Sequence, residues 1–128
     1  MKASELRIGN YVNLMLNHED YETLTITTTD LVMMEKNQGD YQPIPLTEEW
    51  LLKFGFVKIN HQMSLNDGSM TYHYELNGDD RHWQLYFNGR VFSINESKLL
   101  SHHLYHNQYL HQLQNLYFAV TGEELKMK

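Results

Sequence analysis

The chain has 128 residues, which fits one domain of about 100–150 residues with a core of its own, and residues 1–128 are read as a single domain. A formal charge of -6 without any Lys/Arg-rich window makes nucleic acid an unlikely partner, and the lack of cysteine removes disulfides, thiolate metal sites and a Cys nucleophile together. Met1-Lys2-Ala3-Ser4-Glu5 contains no apolar signal core, and there is no run of about 18 apolar residues, so a cytoplasmic chain with no membrane partner is expected.

Leu6-Arg7-Ile8 leads into Gly9-Asn10. From there Val12, Leu14 and Leu16 alternate with Tyr11, Asn13 and Met15, which is the period of a strand. Asn17-His18-Glu19-Asp20 is a polar turn, and Tyr21 to Thr28 alternates again, so the two segments should pair as an antiparallel hairpin. Leu31-Val32-Met33-Met34 reads equally well as a short helical turn capped by Thr29 or Asp30 or as a buried strand. Asn37-Gln38-Gly39-Asp40 is a break.

The stretch Pro43 to Phe56 carries a complete helix specification. Thr47 suits the N-cap, where its hydroxyl accepts a first-turn N–H, and Glu48 and Glu49 place negative charge where the helix dipole favours it. Leu46 is spaced to staple onto Leu51, while Pro43 and Pro45 keep the entering chain extended. Trp50 and Phe54 share a side, and Gly55 can take the left-handed conformation that ends a helix, with Phe56 folding back on Leu51.

Phe56 to Ile59 then reads as a short strand and Asn60 to Ser69 as an irregular stretch. Met70, Tyr72, Tyr74 and Leu76 alternate with Thr71, His73 and Glu75, and Trp83, Leu85 and Phe87 alternate with His82, Gln84 and Tyr86. Asn88-Gly89 suits a type I′ turn, whose two positions both need positive φ. Counting outward from it pairs Leu85 with Phe92 and Trp83 with Ile94 on one face. From about Gln108 to Thr121 the period is helical, through Tyr109, Leu110, Leu113, Leu116, Tyr117 and Val120, and Gly122 stands where a stop belongs. The fold class expected is α+β: a mostly antiparallel sheet, N-terminal hairpin plus C-terminal meander, with two helices.

Three blocks, Glu5-Leu6-Arg7-Ile8-Gly9-Asn10-Tyr11-Val12, Pro43 to Phe56, and His111 to Leu125, together resemble a large group of small proteins of Bacteroides-like bacteria and their phages and mobile elements. That group has no assigned activity. The resemblance therefore implies a setting and transfers no catalytic residue.

Histidine offers the one candidate for chemistry. Eight are present, and His102, His103, His106 and His111 fall close together. On a helix His102 and His106 would lie one turn apart and could chelate a metal from one face, but a third ligand and a base carboxylate are missing locally. His73, Glu75 and His82 are a second grouping, with Glu75 expected opposite His82, and an ordinary cross-strand pair accounts for it. The serines form no nucleophile elbow and the glycines no phosphate loop.

On the last helix Gln112, Gln114 and Asn115, with Glu123 and Glu124, make a polar face opposite the apolar stripe. Such faces are usually solvated, but uncharged amides suit a partner protein. Nine Tyr, five Phe and two Trp add aromatic surface of the kind that suits both strands and binding faces. The function expected is a non-catalytic interaction or accessory protein that binds another protein or itself and needs no cofactor. The alternative is a metal-dependent enzyme built on the His102 to His111 cluster, with a nucleic-acid binder third.

Overall fold

In the computed structural model, which describes residues 1–63, 70–76, 83–87, 92–96 and 108–127, antiparallel strands and α-helices divide between two units. After a 3-10 turn at Ala3–Glu5, the elements in chain order are β1 (Tyr11–Met15), β2 (Tyr21–Thr25), α1 (Thr28–Glu35), β3 (Asp40–Gln42), α2 (Glu48–Lys53), β4 (Phe56–Met63), β5 (Met70–Leu76), β6 (Trp83–Phe87), β7 (Phe92–Glu96) and α3 (Leu110–Thr121). The α+β class expected from the alternating segments is what the chain adopts.

One unit comprises Met1–Pro45 and Tyr109–Leu125. Its sheet has the order β2-β1-β3, antiparallel throughout, and β1 and β2 form the expected hairpin with Tyr11 opposite Thr25 and Met15 opposite Tyr21. The Ile26 N–H donates to the Asn10 carbonyl at 2.8 Å, and the Leu16 N–H to that of Asp20 at 2.9 Å. In an antiparallel pair bonded and unbonded positions alternate, so Val12 with Leu24 and Leu14 with Glu22 carry the ladder. The backbone groups of Tyr21, Thr23 and Thr25 then point away from β1. Val12, Ile26 and Tyr41 are buried at the centre of this unit, with Leu6, Leu14, Leu24 and Leu31 packed against them.

The run Leu31 to Met34 is helical, but its cap is neither Thr29 nor Asp30. Thr27 is the N-cap and Asp30 is the third helical residue of a capping box. Asp30 Oδ2 accepts from the Thr27 N–H and hydroxyl, each at 2.8 Å, and Asp30 Oδ1 accepts from the Tyr41 hydroxyl at 2.9 Å. Partial burial would raise the Asp30 pKa, but these bonds outweigh it and hold the carboxyl below its ordinary value. The reading of Asn37 to Asp40 as a break is corrected at its end, where Asp40 begins β3 and pairs with Met15.

The other unit comprises Leu46–Gln108 and Lys126–Lys128, and its described strands follow the order β4-β5-β6-β7. Thr47 caps α2 as expected, its hydroxyl accepting the Trp50 N–H at 3.4 Å. Gly55, at φ +90°, ends that helix and its N–H donates to the Leu52 carbonyl. Leu46, Leu51, Phe54 and Phe56 are buried. On β5 and β6, Tyr74, Leu76, Leu85 and Phe87 make a buried face, the expected alternation.

Three expectations here are corrected. β4 runs past Ile59 to Met63, pairing with β5 across a bulge between Lys58 and Asn60, where an irregular stretch was expected from Asn60 onward. Leu85 faces Ile94 instead of Phe92, and Trp83 faces Glu96, a register two residues later than a two-residue turn at Asn88-Gly89 requires. Alternation alone does not distinguish the two registers, because the side-chain period is two. Glu75 faces Gln84, not His82. Residues 88–91 and His82 lie outside the described residues.

Candidate functional site

The polar residues of α3 are held from below by the helix itself and from the side by the start of the chain. Gln114 is 1% exposed and Asn10 0%. Gln114 Oε1 accepts the Tyr11 N–H at 2.9 Å and its Nε2 donates to the Gly9 carbonyl at 3.2 Å. Asn115 Oδ1 accepts from Asn10 Nδ2 at 2.8 Å, and Asn115 Nδ2 donates to the Glu5 carbonyl at 3.3 Å. Gln112 Oε1 accepts the Tyr109 N–H at 3.0 Å, covering the first turn of α3.

The expected solvated face is therefore corrected at Gln114. A buried amide must spend its hydrogen bonds inside, and this one spends them on the Gly9 turn and on the first residue of β1. Arg7 completes the lock. Its guanidinium forks onto the Glu124 carboxylate, with Nη2 to Oε2 at 3.2 Å, and lies 4.1 Å from the Phe118 ring centroid. The first and third of the three blocks singled out in the sequence are thus joined by hydrogen bonds. What they hold in common is a structural joint.

Of the histidines expected to matter, His102, His103 and His106 lie outside the described residues, so the metal reading of His102 and His106 is untouched by the geometry. His111 is buried at 4% exposure within α3, its ring stacked on Tyr109 at 6.0 Å, and its Nδ1 has no hydrogen-bond partner among the described residues. Burial lowers its pKa, and the Glu5 carboxylate opposes that only in part. His73 stacks on Tyr86 at 4.9 Å, and its Nε2 stands 3.8 Å from Glu75 Oε1, beyond hydrogen-bond reach. Among the described residues no group of three His, Asp or Glu is arranged to hold a metal.

A hollow in this unit lies at the turn that closes the β1–β2 hairpin, a segment the sequence marks only as a turn. Asn17 Oδ1 accepts the N–H groups of Glu19 and Asp20, each at 2.8 Å, so the turn is internally braced. Leu16 and Tyr21 are left 61% and 58% exposed on either side of it. The hollow, of about 680 Å³, is lined by Met15, Leu16, Asn17, His18, Asp40 and Gln42. The outer edge of β2 lies on the far side of β1 from β3, with Glu19, Asp20 and Glu22 exposed along it and its turn.

β4, which is an outer strand of the other sheet, is broken by a bulge. β2 pairs with β1 through five consecutive residues without one. Bulges are a common means of blunting an edge against unwanted pairing. No helix among the described residues is long and apolar enough to cross a membrane. No family model matches the chain, and neither a curated protein nor a solved structure matches it.

Proposed function

We infer that this chain is a non-catalytic interaction protein that captures an extended segment of another polypeptide along the outer edge of β2. The observation that carries this reading is the regular, unbulged edge of Tyr21–Thr25 beside the exposed Leu16 and Tyr21. An extended peptide added there would pair with the outward backbone groups of Tyr21, Thr23 and Thr25, which supply affinity without regard to sequence. Its side chains would supply specificity. Glu19, Asp20 and Glu22 along the edge favour a segment carrying Lys or Arg, and the exposed Tyr21 favours an apolar residue on its face of the sheet. The resemblance to proteins of phages and mobile elements supports an accessory role in that setting.

Selection from a random peptide library against the immobilised chain tests the reading. Peptides alternating basic and apolar residues are expected, and they should protect the Tyr21, Thr23 and Thr25 amides from hydrogen exchange. Thr23→Pro removes one outward donor without touching the β1 ladder, so it should abolish that binding while the fold is retained. Peptides that bind Thr23→Pro as well as the unmodified chain would overturn the assignment.

A further inference from the structure

The unit containing α2 holds a cavity of about 310 Å³ lined by Thr47, Glu48, Lys58, Tyr72, Tyr74 and Phe87. Small-molecule sites span roughly 300–1,000 Å³, so this one suits a ligand of modest size. Its aromatic side is deep, with Tyr74 at 1% and Phe87 at 4% exposure. Its charged side is open to solvent: Lys58 and Glu48 are 40% and 46% exposed, with Lys58 Nζ 3.1 Å from Glu48 Oε1.

Each of these charges is steadied by an aromatic residue of the same cavity. The Tyr74 hydroxyl donates to Glu48 Oε1 at 2.9 Å, and the Lys58 ammonium lies 4.0 Å from the Tyr72 ring centroid. Bonds from Lys58 and then Tyr74 hold the Glu48 carboxyl below its ordinary value, so it stays ionised at neutral pH. Burial, reinforced by Glu48, pushes the Tyr74 phenol above its own, so it remains a donor that orients and does not react.

We propose that this cavity binds a free aromatic α-amino acid, with its ammonium at Glu48, its carboxylate at Lys58 and its ring against Tyr72, Tyr74 and Phe87. A ligand bearing a lone cation meets Glu48 but is repelled by the adjacent lysine, and a lone anion meets the reverse. A zwitterion inserts opposite charges against both members of the pair and gains from each. A residue inside a peptide has neither charge at its Cα, which makes the free amino acid the source that fits. This reading is independent of the β2 edge and of any partner bound there.

Titrating L-phenylalanine into the full chain and following backbone amide resonances provides the test. Saturable shifts at Lys58, Tyr72, Tyr74 and Phe87 are expected. Phenethylamine, 3-phenylpropionate and N-acetylphenylalanine amide, which lack one or both charges, should each bind at least about tenfold more weakly. Lys58→Met keeps the apolar stem, and Glu48→Gln keeps an acceptor for Tyr74, so both variants should remain folded and lose about tenfold in affinity. Absence of saturation below about 10 mM in the unmodified chain would overturn the proposal, since binding that weak contributes little free energy. Equal binding of the doubly blocked amide, or unchanged affinity in Lys58→Met, would overturn it as well.

Discussion

Gln114 and Tyr11 meet across nearly the whole length of the chain, the buried side-chain carbonyl of the first accepting the backbone N–H of the second at 2.9 Å. The same amide donates to the Gly9 carbonyl, so one side chain satisfies a donor and an acceptor of the turn entering β1. Gln114→Leu keeps approximate volume and removes both partners. Leaving the two buried groups unsatisfied costs about 1–3 kcal/mol each, so a loss of about 2–6 kcal/mol is expected in chemical denaturation. Gln112→Ala, at a half-buried position, should cost clearly less. Similar losses in the two variants would mean that the joint at Gln114 contributes nothing special.

Arg7 gives a second, smaller prediction from the same joint. Its planar guanidinium both forks onto Glu124 and lies over Phe118, two contacts that a lysine ammonium cannot make together. Because the Arg7 and Glu124 side chains are 26% and 31% exposed, solvent screens the pair, and Arg7→Lys should cost only about 1 kcal/mol. Arg7→Lys in a Glu124→Gln background should cost less than in the unmodified chain, and a double-mutant cycle reads the difference. Strict additivity would show that the two side chains act separately.

What the sequence made legible was whatever is specified locally. Thr47, Glu48 and Gly55 bracket α2 within ten residues of one another, Gly122 at φ +76° ends α3, and the alternation of β1 with β2 sets their pairing. What escaped was fixed by short or distant relations. β3 has three residues, too few to display a period. The β6–β7 register depends on how many residues make the turn, and alternation is blind to a shift of two. The cap at Thr27 stands before the apolar run, and Asp30, a residue type that suits a cap, instead answers it from the third helical position. Gln114 looked solvated because helical periodicity reports which residues share a side of α3. It cannot report that the turn at Gly9 and Asn10 comes to lie against that side.

Leu51 lies within the legible part, and its consequence is correspondingly direct. It is 0% exposed in α2, in a unit where Leu46, Phe54 and Phe56 are also buried. Leu51→Ala removes transfer free energy and leaves a cavity, for an expected loss of about 2–5 kcal/mol. Leu52→Ala, one residue on and 52% exposed, is the control, and should stay within about 0.5 kcal/mol as surface substitutions do. Denaturation giving the two variants equal stability would mean that α2 is rotated from its described orientation.

His111 supplies the pH dependence. Burial disfavours its imidazolium and lowers its pKa in the folded chain, with Glu5 pulling weakly the other way, whereas in the unfolded chain it titrates near its ordinary value of about 6.5. As pH falls below that value the unfolded chain takes up a proton that the folded chain still refuses. The stability contributed by keeping this residue neutral is therefore fully present above about pH 6.5 and is lost as pH falls through the depressed folded value, at a slope of at most about 1.4 kcal/mol per pH unit. His111→Leu removes the titration. Urea unfolding at several pH values between about 7.5 and 5 should show the unmodified chain losing stability more steeply than the variant. Parallel curves would mean that His111 accepts its proton as readily in the folded chain as in the unfolded one, and that the unpartnered Nδ1 is reached by water or by a carboxylate when α3 is formed.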